Sequence, residues 1–137
     1  MAHWLMKTEP DDYSWDRLVA DGETEWGGVR NHQAANNLRA MRLGERAFFY
    51  RSAVRPAIVG VMIVSEAAYP AADDPSGKFV RVKVKPLMAV RQEIPLAAVK
   101  ADPRFADLAL VRQSRLSVVP VSDAHWRLLC QMAGIEA

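Results

Sequence analysis

Three short stretches of the sequence hold side chains that could recognise a small flat ligand. "KTEP" offers the ammonium of Lys7, the hydroxyl of Thr8 and the carboxylate of Glu9. "WGGVRN" sets the indole of Trp26 before two glycines, an arginine and an amide, and "YRS" adds an aromatic and two polar groups. Such side chains can hydrogen-bond to the edge of a nucleobase, and an indole can stack on its face. The candidate ligand-binding residues are Lys7, Thr8, Glu9, Trp26, Gly28, Val29, Arg30, Asn31, Tyr50, Arg51 and Ser52.

Each stretch also has a purely structural alternative. Lys7 and Glu9 could form a surface ion pair at the end of a strand. Trp26 could be a core residue beside a turn, because tryptophan is largely buried on average. Asn31 could simply cap a helix, or the stretch could do both.

Basic residues are unevenly distributed, although the net charge is only +2. Residues 1–25 hold seven acids against two bases, whereas residues 78–115 hold nine bases against three acids. A cationic face able to meet a few phosphates is therefore possible on a nearly neutral protein. The candidate phosphate-binding residues are Arg81, Lys83, Arg112 and Arg115. The alternatives are the solvated face of a strand for Arg81 and Lys83, and ion pairs with the acidic N-terminal segment for Arg112 and Arg115.

The usual catalytic and cofactor motifs do not occur. Cys130 is the single cysteine, and the three histidines have no metal-ligand spacing. Neither a nucleophile elbow nor a dinucleotide fingerprint is present, and "DDPSGKF" lacks the spacing of a phosphate loop. We therefore expect no catalytic residues, no metal and no cofactor.

Length and composition predict one α+β domain over residues 1–137. The sequence has neither a secretory signal nor a long apolar run, so we expect a soluble, cytoplasmic protein. The composition does not indicate an oligomeric state.

Apolar periodicity and punctuating residues predict the elements. Strands are expected in "HWLMKTEP", "ERAFFYRS", "AIVGVMIVSEAAY", "GKFVRVKVKPL" and "RLSVVPV". Helices are expected after Ser14 or a neighbouring aspartate, after Asn31, after Pro95 and after Ser122, with ends at Gly22, Gly44 and Gly134. Trp15, Leu18 and Val19 are the predicted apolar stripe of the first helix. The last helix should turn Trp126, Leu129 and Cys130 inward.

These motifs, in this order, resemble the EVE domain family. The resemblance rests on "HWLMKTEPDDYSWDRLVADG", "WGGVRNHQAANNLRAMRLGERAFFYRS", "IVGVMIVSEAAYP" and "VRQSRLSVVPVS". It implies a PUA-like fold, a small curved β-barrel flanked by short helices, related to the YTH and ASCH domains. It also implies binding of a modified base, such as 5-methylcytosine or 5-hydroxymethylcytosine, flipped out of a nucleic acid strand.

By this resemblance, Trp26 would stack on the base, and Lys7, Thr8 and Glu9 would read its edge. Residues 28–31 would line the site, and residues 50–52 would form its far wall. Arg51 departs from the histidine common in the family, and arginine cannot accept a hydrogen bond. The preferred base could differ for that reason. Phe79 stands where a tryptophan is common in the family.

Three functions follow from these observations. The first is a non-catalytic reader of a modified base in DNA, RNA or a free nucleoside. The second is a small hydrolase of a modified nucleoside, as in the ASCH group, which would use a close Lys7–Glu9 pair for acid–base chemistry. The third is a general RNA-binding module that uses the row Arg81, Lys83 and Lys85.

Overall fold

The first apolar run forms strand β1 (His3–Thr8), which lies between two strands from distant parts of the chain. In the computed structural model, which describes residues 1–137, β1 pairs in parallel with β3 (Arg46–Arg51) and antiparallel with β6 (Val118–Val121). Trp4, Leu5 and Met6 are consecutive and all buried. A strand covered on both faces can carry such an uninterrupted apolar run.

Six strands form one mixed sheet in the order β2-β5-β4-β3-β1-β6. The other members are β2 (Thr24–Trp26), β4 (Ala57–Pro70) and β5 (Val80–Pro95). The expected barrel is not closed, because the edge strands β2 and β6 do not pair with each other. These strands are only three and four residues long, so neither can supply the row of backbone hydrogen bonds that would close the sheet into a barrel. Register shifts along β3–β4 and β4–β5 bend the long strands.

Five short helices and one 3₁₀ turn accompany the sheet. Their bounds are α1 (Trp15–Asp21), α2 (His32–Ala40), α3 (Leu96–Ala101), the 3₁₀ turn Pro103–Phe105, α4 (Ala109–Arg112) and α5 (Asp123–Ala133). Ser14, Asn31 and Ser122 accept backbone hydrogen bonds as N-caps, which confirms those three predictions. Gly22 and Gly134 adopt the left-handed conformation directly after α1 and α5, as predicted.

Some predicted details were wrong. Val19 is 54% exposed, because the short helix α1 buries only Leu18 fully. Helix α2 ends at Ala40 instead of continuing to Gly44, since Met41 is already extended. The segment predicted as an acidic turn contains β2, and α4 was not predicted because a four-residue helix has too few positions for a periodic pattern.

The core lies around the buried face of the sheet. Val80, Val82 and Val84 are buried, as their alternation predicts. Helix α5 packs Trp126 on Phe48, with ring centroids 4.0 Å apart. Cys130 is buried beside them, and burial raises the pKa of its thiol to about 11. None of the helices is long and apolar enough to cross a membrane.

Candidate functional site

An open cavity of about 680 Å³ lies where the end of β1, the β2 strand and the segment before β6 meet. Most of the residues along its walls are polar or charged. The lining residues are Lys7, Thr8, Glu9, Asp12, Tyr13, Thr24, Glu25, Trp26, Gly27, Gly28, Val29, Arg30, Ser52, Arg81, Ser114, Arg115 and Ser117. Eight of the eleven predicted ligand-binding residues are among them. The volume is within the usual range for a small-molecule site.

Lys7 lies half-buried at the end of β1, with its ammonium at the cavity. Its Nζ donates to the carbonyl oxygen of Ser114 at 3.0 Å and lies 5.7 Å from the centre of the Tyr50 ring. Burial lowers the pKa of Lys7 below its ordinary value. An ammonium has three donors, so Lys7 can still donate to a ligand.

Glu9 is exposed directly after β1. Its backbone carbonyl accepts from the N–H groups of Asp12 and Tyr13 at 3.0 and 2.9 Å, and this turn brings both residues to the cavity. The Glu9 carboxylate makes no hydrogen bond within the protein, whereas the main chain beside it is fixed. The structure therefore presents an acceptor group at the rim.

Trp26 lies both in the core and at the cavity. It is 7% exposed and belongs to the core, where its ring meets Phe49 edge-to-face at 5.5 Å. It also borders the cavity. Trp26 pairs with Val82 of β5 in the sheet. The sheet and the Phe49 ring together hold the indole in one place.

The loop after Trp26 packs closely against Arg81 and continues to Arg30. A Cβ on Gly27 would lie 2.6 Å from Cγ of Arg81, so only glycine lets the arginine lie across this backbone. Gly28 has a φ of 73°, a conformation that favours glycine. Arg30 and Arg81 both contact Asp73, at 3.4 and 3.3 Å. The Arg81 hydrogen bond is the main reason that the pKa of Asp73 is lowered.

Asn31 lies outside the cavity. Its side chain accepts from the Ala34 N–H at 3.0 Å, which confirms its predicted role as a helix cap. It borders a separate groove of about 320 Å³ together with Arg112 and Arg115. Ser114 and Arg115 line both spaces, so the groove continues from the cavity along the protein surface.

Of the predicted far wall, only Ser52 reaches the cavity. Tyr50 is buried in the core, and this burial raises the pKa of its phenol to about 12. Arg51 borders a second cavity of about 320 Å³, which also includes Thr8 and Tyr13. There its guanidinium is paired with Glu93 at 2.8 Å.

The candidate phosphate-binding residues separate into three environments. Arg81 and Arg115 line the cavity. Arg112 lies in the adjacent groove, 3.7 Å from Asp107. Lys83 lies outside both and stands opposite Glu25 on one side and Glu66 on the other.

Several lining residues were not predicted. Asp12 and Tyr13 follow Glu9 so closely that the turn signal in "EPDD" could have included them. Glu25 precedes Trp26 on β2 and reaches the cavity from the same short strand. Ser114 and Ser117 come from a loop about a hundred residues away, and nothing in their local sequence indicates this position.

The site is electrically mixed. Four bases and three acids border it, listed as Lys7, Arg30, Arg81 and Arg115 against Glu9, Asp12 and Glu25. No group of three or more histidine, cysteine or carboxylate side chains could hold a metal ion. Such a site can present hydrogen-bond donors, hydrogen-bond acceptors and an aromatic residue to the same ligand.

Residues 2–132 match the sequence profile of the EVE domain. The chain belongs to the EVE domain family. This EVE domain is 35% identical to human thymocyte nuclear protein 1 over 159 aligned positions, which cover 91% of the chain and 71% of the human protein. The resemblance seen in the sequence motifs is thereby confirmed, and with it the α+β, PUA-like fold.

Two groups of solved structures show how far the likeness extends. A crystal structure of human thymocyte nuclear protein 1 in complex with 5-methylcytosine-containing DNA matches this EVE domain with a TM-score of 0.91 and 32% identity over 100% of both chains. An NMR structure of a Rhodopseudomonas palustris protein gives 0.93 and 48%, covering 98% of this chain and 94% of the other. A YTH domain from Zygosaccharomyces rouxii covers 99% of this chain and 88% of its own, at a TM-score of 0.58 and 13% identity, and shares the fold alone.

Proposed function

We propose that this EVE domain is a non-catalytic reader of nucleic acid that carries a modified base of the 5-methylcytosine or 5-hydroxymethylcytosine type. The observation that supports the proposal is a cavity lined by Trp26 together with Lys7 and Glu9. The human relative, crystallised with DNA containing 5-methylcytosine, supports it. The base leaves the stack and enters the cavity.

The polar groups at the rim match the edge of a cytosine. Its amino group donates, and its ring nitrogen and carbonyl oxygen accept. The carboxylate of Glu9 is an acceptor for the amino group, and the ammonium of Lys7 is a donor for the carbonyl oxygen. Thr8, Gly28, Val29, Arg30 and Ser52 form the remaining contact surface.

The free-energy cost of flipping the base and the gain from binding it in the cavity are of comparable size. Extruding a base costs a few kcal/mol, and stacking on one aromatic side chain contributes about 1–3 kcal/mol. Edge hydrogen bonds to charged groups add about 1.5–3 kcal/mol each. One indole with two charged edge contacts is therefore enough to hold a flipped base.

The neighbouring phosphates meet the cations around the opening. Arg81 and Arg115 border the cavity, and Arg112 continues the basic surface along the adjacent groove. No base contact is assigned to Asn31, Tyr50, Arg51 or Lys83, which do not line the cavity. A few phosphate contacts suit a net charge of only +2.

The structure favours this function over the two alternatives. A hydrolase would use a close Lys7–Glu9 pair, but Lys7 donates to Ser114 and forms no ion pair with Glu9. A general RNA-binding module would use the basic row of β5, but Lys83 stands between two glutamates and only Arg81 of that row borders the cavity.

The test is a binding panel measured by fluorescence anisotropy. Short duplexes and single strands of DNA and RNA carry one cytosine, 5-methylcytosine or 5-hydroxymethylcytosine at the same position. We expect a modified cytosine to bind about tenfold or more tightly than cytosine, because a methyl group in a fitted pocket contributes about 1–3 kcal/mol. Equal Kd values for all bases, with a steep salt dependence, would instead support the RNA-binding module. Release of a product from a modified nucleoside would support the hydrolase.

A further inference from the structure

The turn between β3 and β4 (residues 52–56) has an unusual backbone at the edge of the cavity. Ala53 and Arg55 have φ values of 68° and 50°, and neither is glycine. The Val54 N–H donates to the Ser52 carbonyl at 2.9 Å, which closes a three-residue turn centred on Ala53. Side-chain-bearing residues rarely adopt positive φ, so the surrounding structure must hold this conformation.

The side chain of Arg51 is the group that holds it. Its Nε donates to the carbonyl oxygens of Val54 and Arg55 at 3.2 and 3.1 Å, and its Nη2 donates to the Arg55 oxygen at 2.9 Å. The outer nitrogens make two parallel bonds to the Glu93 carboxylate, at 3.2 and 2.8 Å. A planar guanidinium can make all these bonds at once, whereas a lysine cannot.

A second contact anchors the turn to the cavity. The Ser52 N–H donates to the Thr8 carbonyl at 2.9 Å, and Ser52 and Thr8 both line the cavity. The Cα of Val54 therefore lies within about 7 Å of the Cα of Ser52. The turn is thus a fixed projection beside the opening.

An apolar side chain stands at the tip of this projection. Val54 is 62% exposed. The next residue, Arg55, is exposed and makes no ion pair, so a cation is free beside it. The other large exposed apolar residues are Met1, Val19, Leu43 and Leu87, and none of them is within two residues of the cavity lining.

We propose that Val54 is an apolar wedge that enters the base stack of a duplex beside the flipped base, with Arg51 and Glu93 as its positioning residues. This inference rests on the proposed function. A flipped base leaves a gap, and proteins that distort DNA insert apolar side chains between base steps. Arg55 meets the adjacent phosphate. A single strand has no paired stack to fill, so the wedge acts on duplexes alone.

The experiment compares one modified sequence as a duplex and as a single strand, each with 5-methylcytosine at one position. Val54→Ser should raise the Kd for the duplex about tenfold and leave the Kd for the single strand unchanged. The matched control is Val19→Ser, on α1, which should change neither value.

Arg51→Lys tests the positioning role. It keeps the positive charge but cannot hold both carbonyls and the carboxylate, so the duplex Kd should rise while the single-strand Kd stays constant. A thermal melt records any loss of folding. Unchanged duplex binding by Val54→Ser, or equal losses on duplex and single strand, would overturn the wedge and leave the proposed function standing. Failure of the natural protein to prefer the modified base in either form would overturn both.

Discussion

Glu45 and Glu9 each share a site with a tryptophan, but one site is in the interior and the other is an open cavity. Glu45 is buried, and its carboxylate accepts from the Trp4 indole at 3.0 Å and from the N–H groups of Arg42 and Ala2 at 2.8 Å each. Burial alone would raise the pKa of Glu45, but these hydrogen bonds outweigh it, and the pKa is lowered. Glu9 borders the cavity with Trp26, and its carboxylate accepts no hydrogen bond from the protein.

Glu45 is therefore a structural polar group, whereas Glu9 is available to a ligand. Both carboxylate oxygens of Glu45 accept hydrogen bonds, as buried polar groups require. At the other site the Glu9 carboxylate is free, and Lys7 has donors to spare. Residue type alone does not distinguish these two glutamates, but the partners of each carboxylate do.

The largest effect is expected from Trp26→Ala. The ring is 7% exposed and packs on Phe49, so its removal should lower the free energy of unfolding by about 3–5 kcal/mol. Urea unfolding measures this. Trp26→Phe, which keeps an aromatic ring, is therefore the variant for binding assays. An unfolding curve for Trp26→Ala equal to that of the natural protein would place the indole outside the core.

Glu45→Gln should be next in size. A neutral amide accepts more weakly from the Trp4 indole and the two backbone N–H groups, so the free energy of unfolding should fall by about 1–3 kcal/mol. Because the folded pKa lies below the unfolded one, this stabilisation is present above about pH 4.3 and is lost as the pH falls through the folded pKa. Urea curves at neutral pH and at about pH 3 should therefore show the gap between the two proteins shrinking. A gap that widens in acid would contradict the assignment.

Glu9→Gln should weaken binding and hardly change stability, in contrast to Glu45→Gln. Its carboxylate supports no internal hydrogen bond, so the free energy of unfolding should change by less than about 0.5 kcal/mol. Binding of a modified cytosine should weaken about tenfold, since a charged acceptor for the amino group is lost. Glu136→Gln is the control, because that glutamate is exposed and does not line the cavity. If Glu9→Gln and Glu136→Gln bind alike, Glu9 does not read the base edge.

Arg115→Ala should have the smallest effect. Arg115 is exposed beside the cavity, so its loss should weaken binding of all sequences equally and lower the slope of log K against log salt by about 1. Arg127→Ala on α5, also exposed, should leave the slope unchanged. A change in the preference between modified and unmodified cytosine would show instead that Arg115 contacts the base.

Most of the fold could be predicted because its signals are local. Ser14, Asn31 and Ser122 cap their helices as predicted, and the alternating valines of β5 lie inside. The open sheet could not be predicted, because closure depends on whether β2 and β6 meet in space. The resemblance implied a barrel, and the two short edge strands do not complete one.

The candidate site could be predicted where one motif supplies several of its residues. "KTEP" and the stretch from Trp26 to Arg30 line the cavity together. Arg51 lies elsewhere because its guanidinium is paired with Glu93 in the second cavity, whereas Ser52 lines the first. The serines at positions 114 and 117 depend on the pairing of β6 with β1, which no local pattern encodes.

The most direct test of the central claim is a contact between the modified base and Trp26. A short duplex with a ¹³C-labelled methyl group on one 5-methylcytosine can be bound to the protein and examined by nuclear Overhauser spectroscopy. We predict cross-peaks from the labelled methyl group to the indole protons of Trp26 or to the backbone of Gly28. Cross-peaks to neither residue, with the methyl group still contacting its own stacked neighbours in the duplex, would contradict the account.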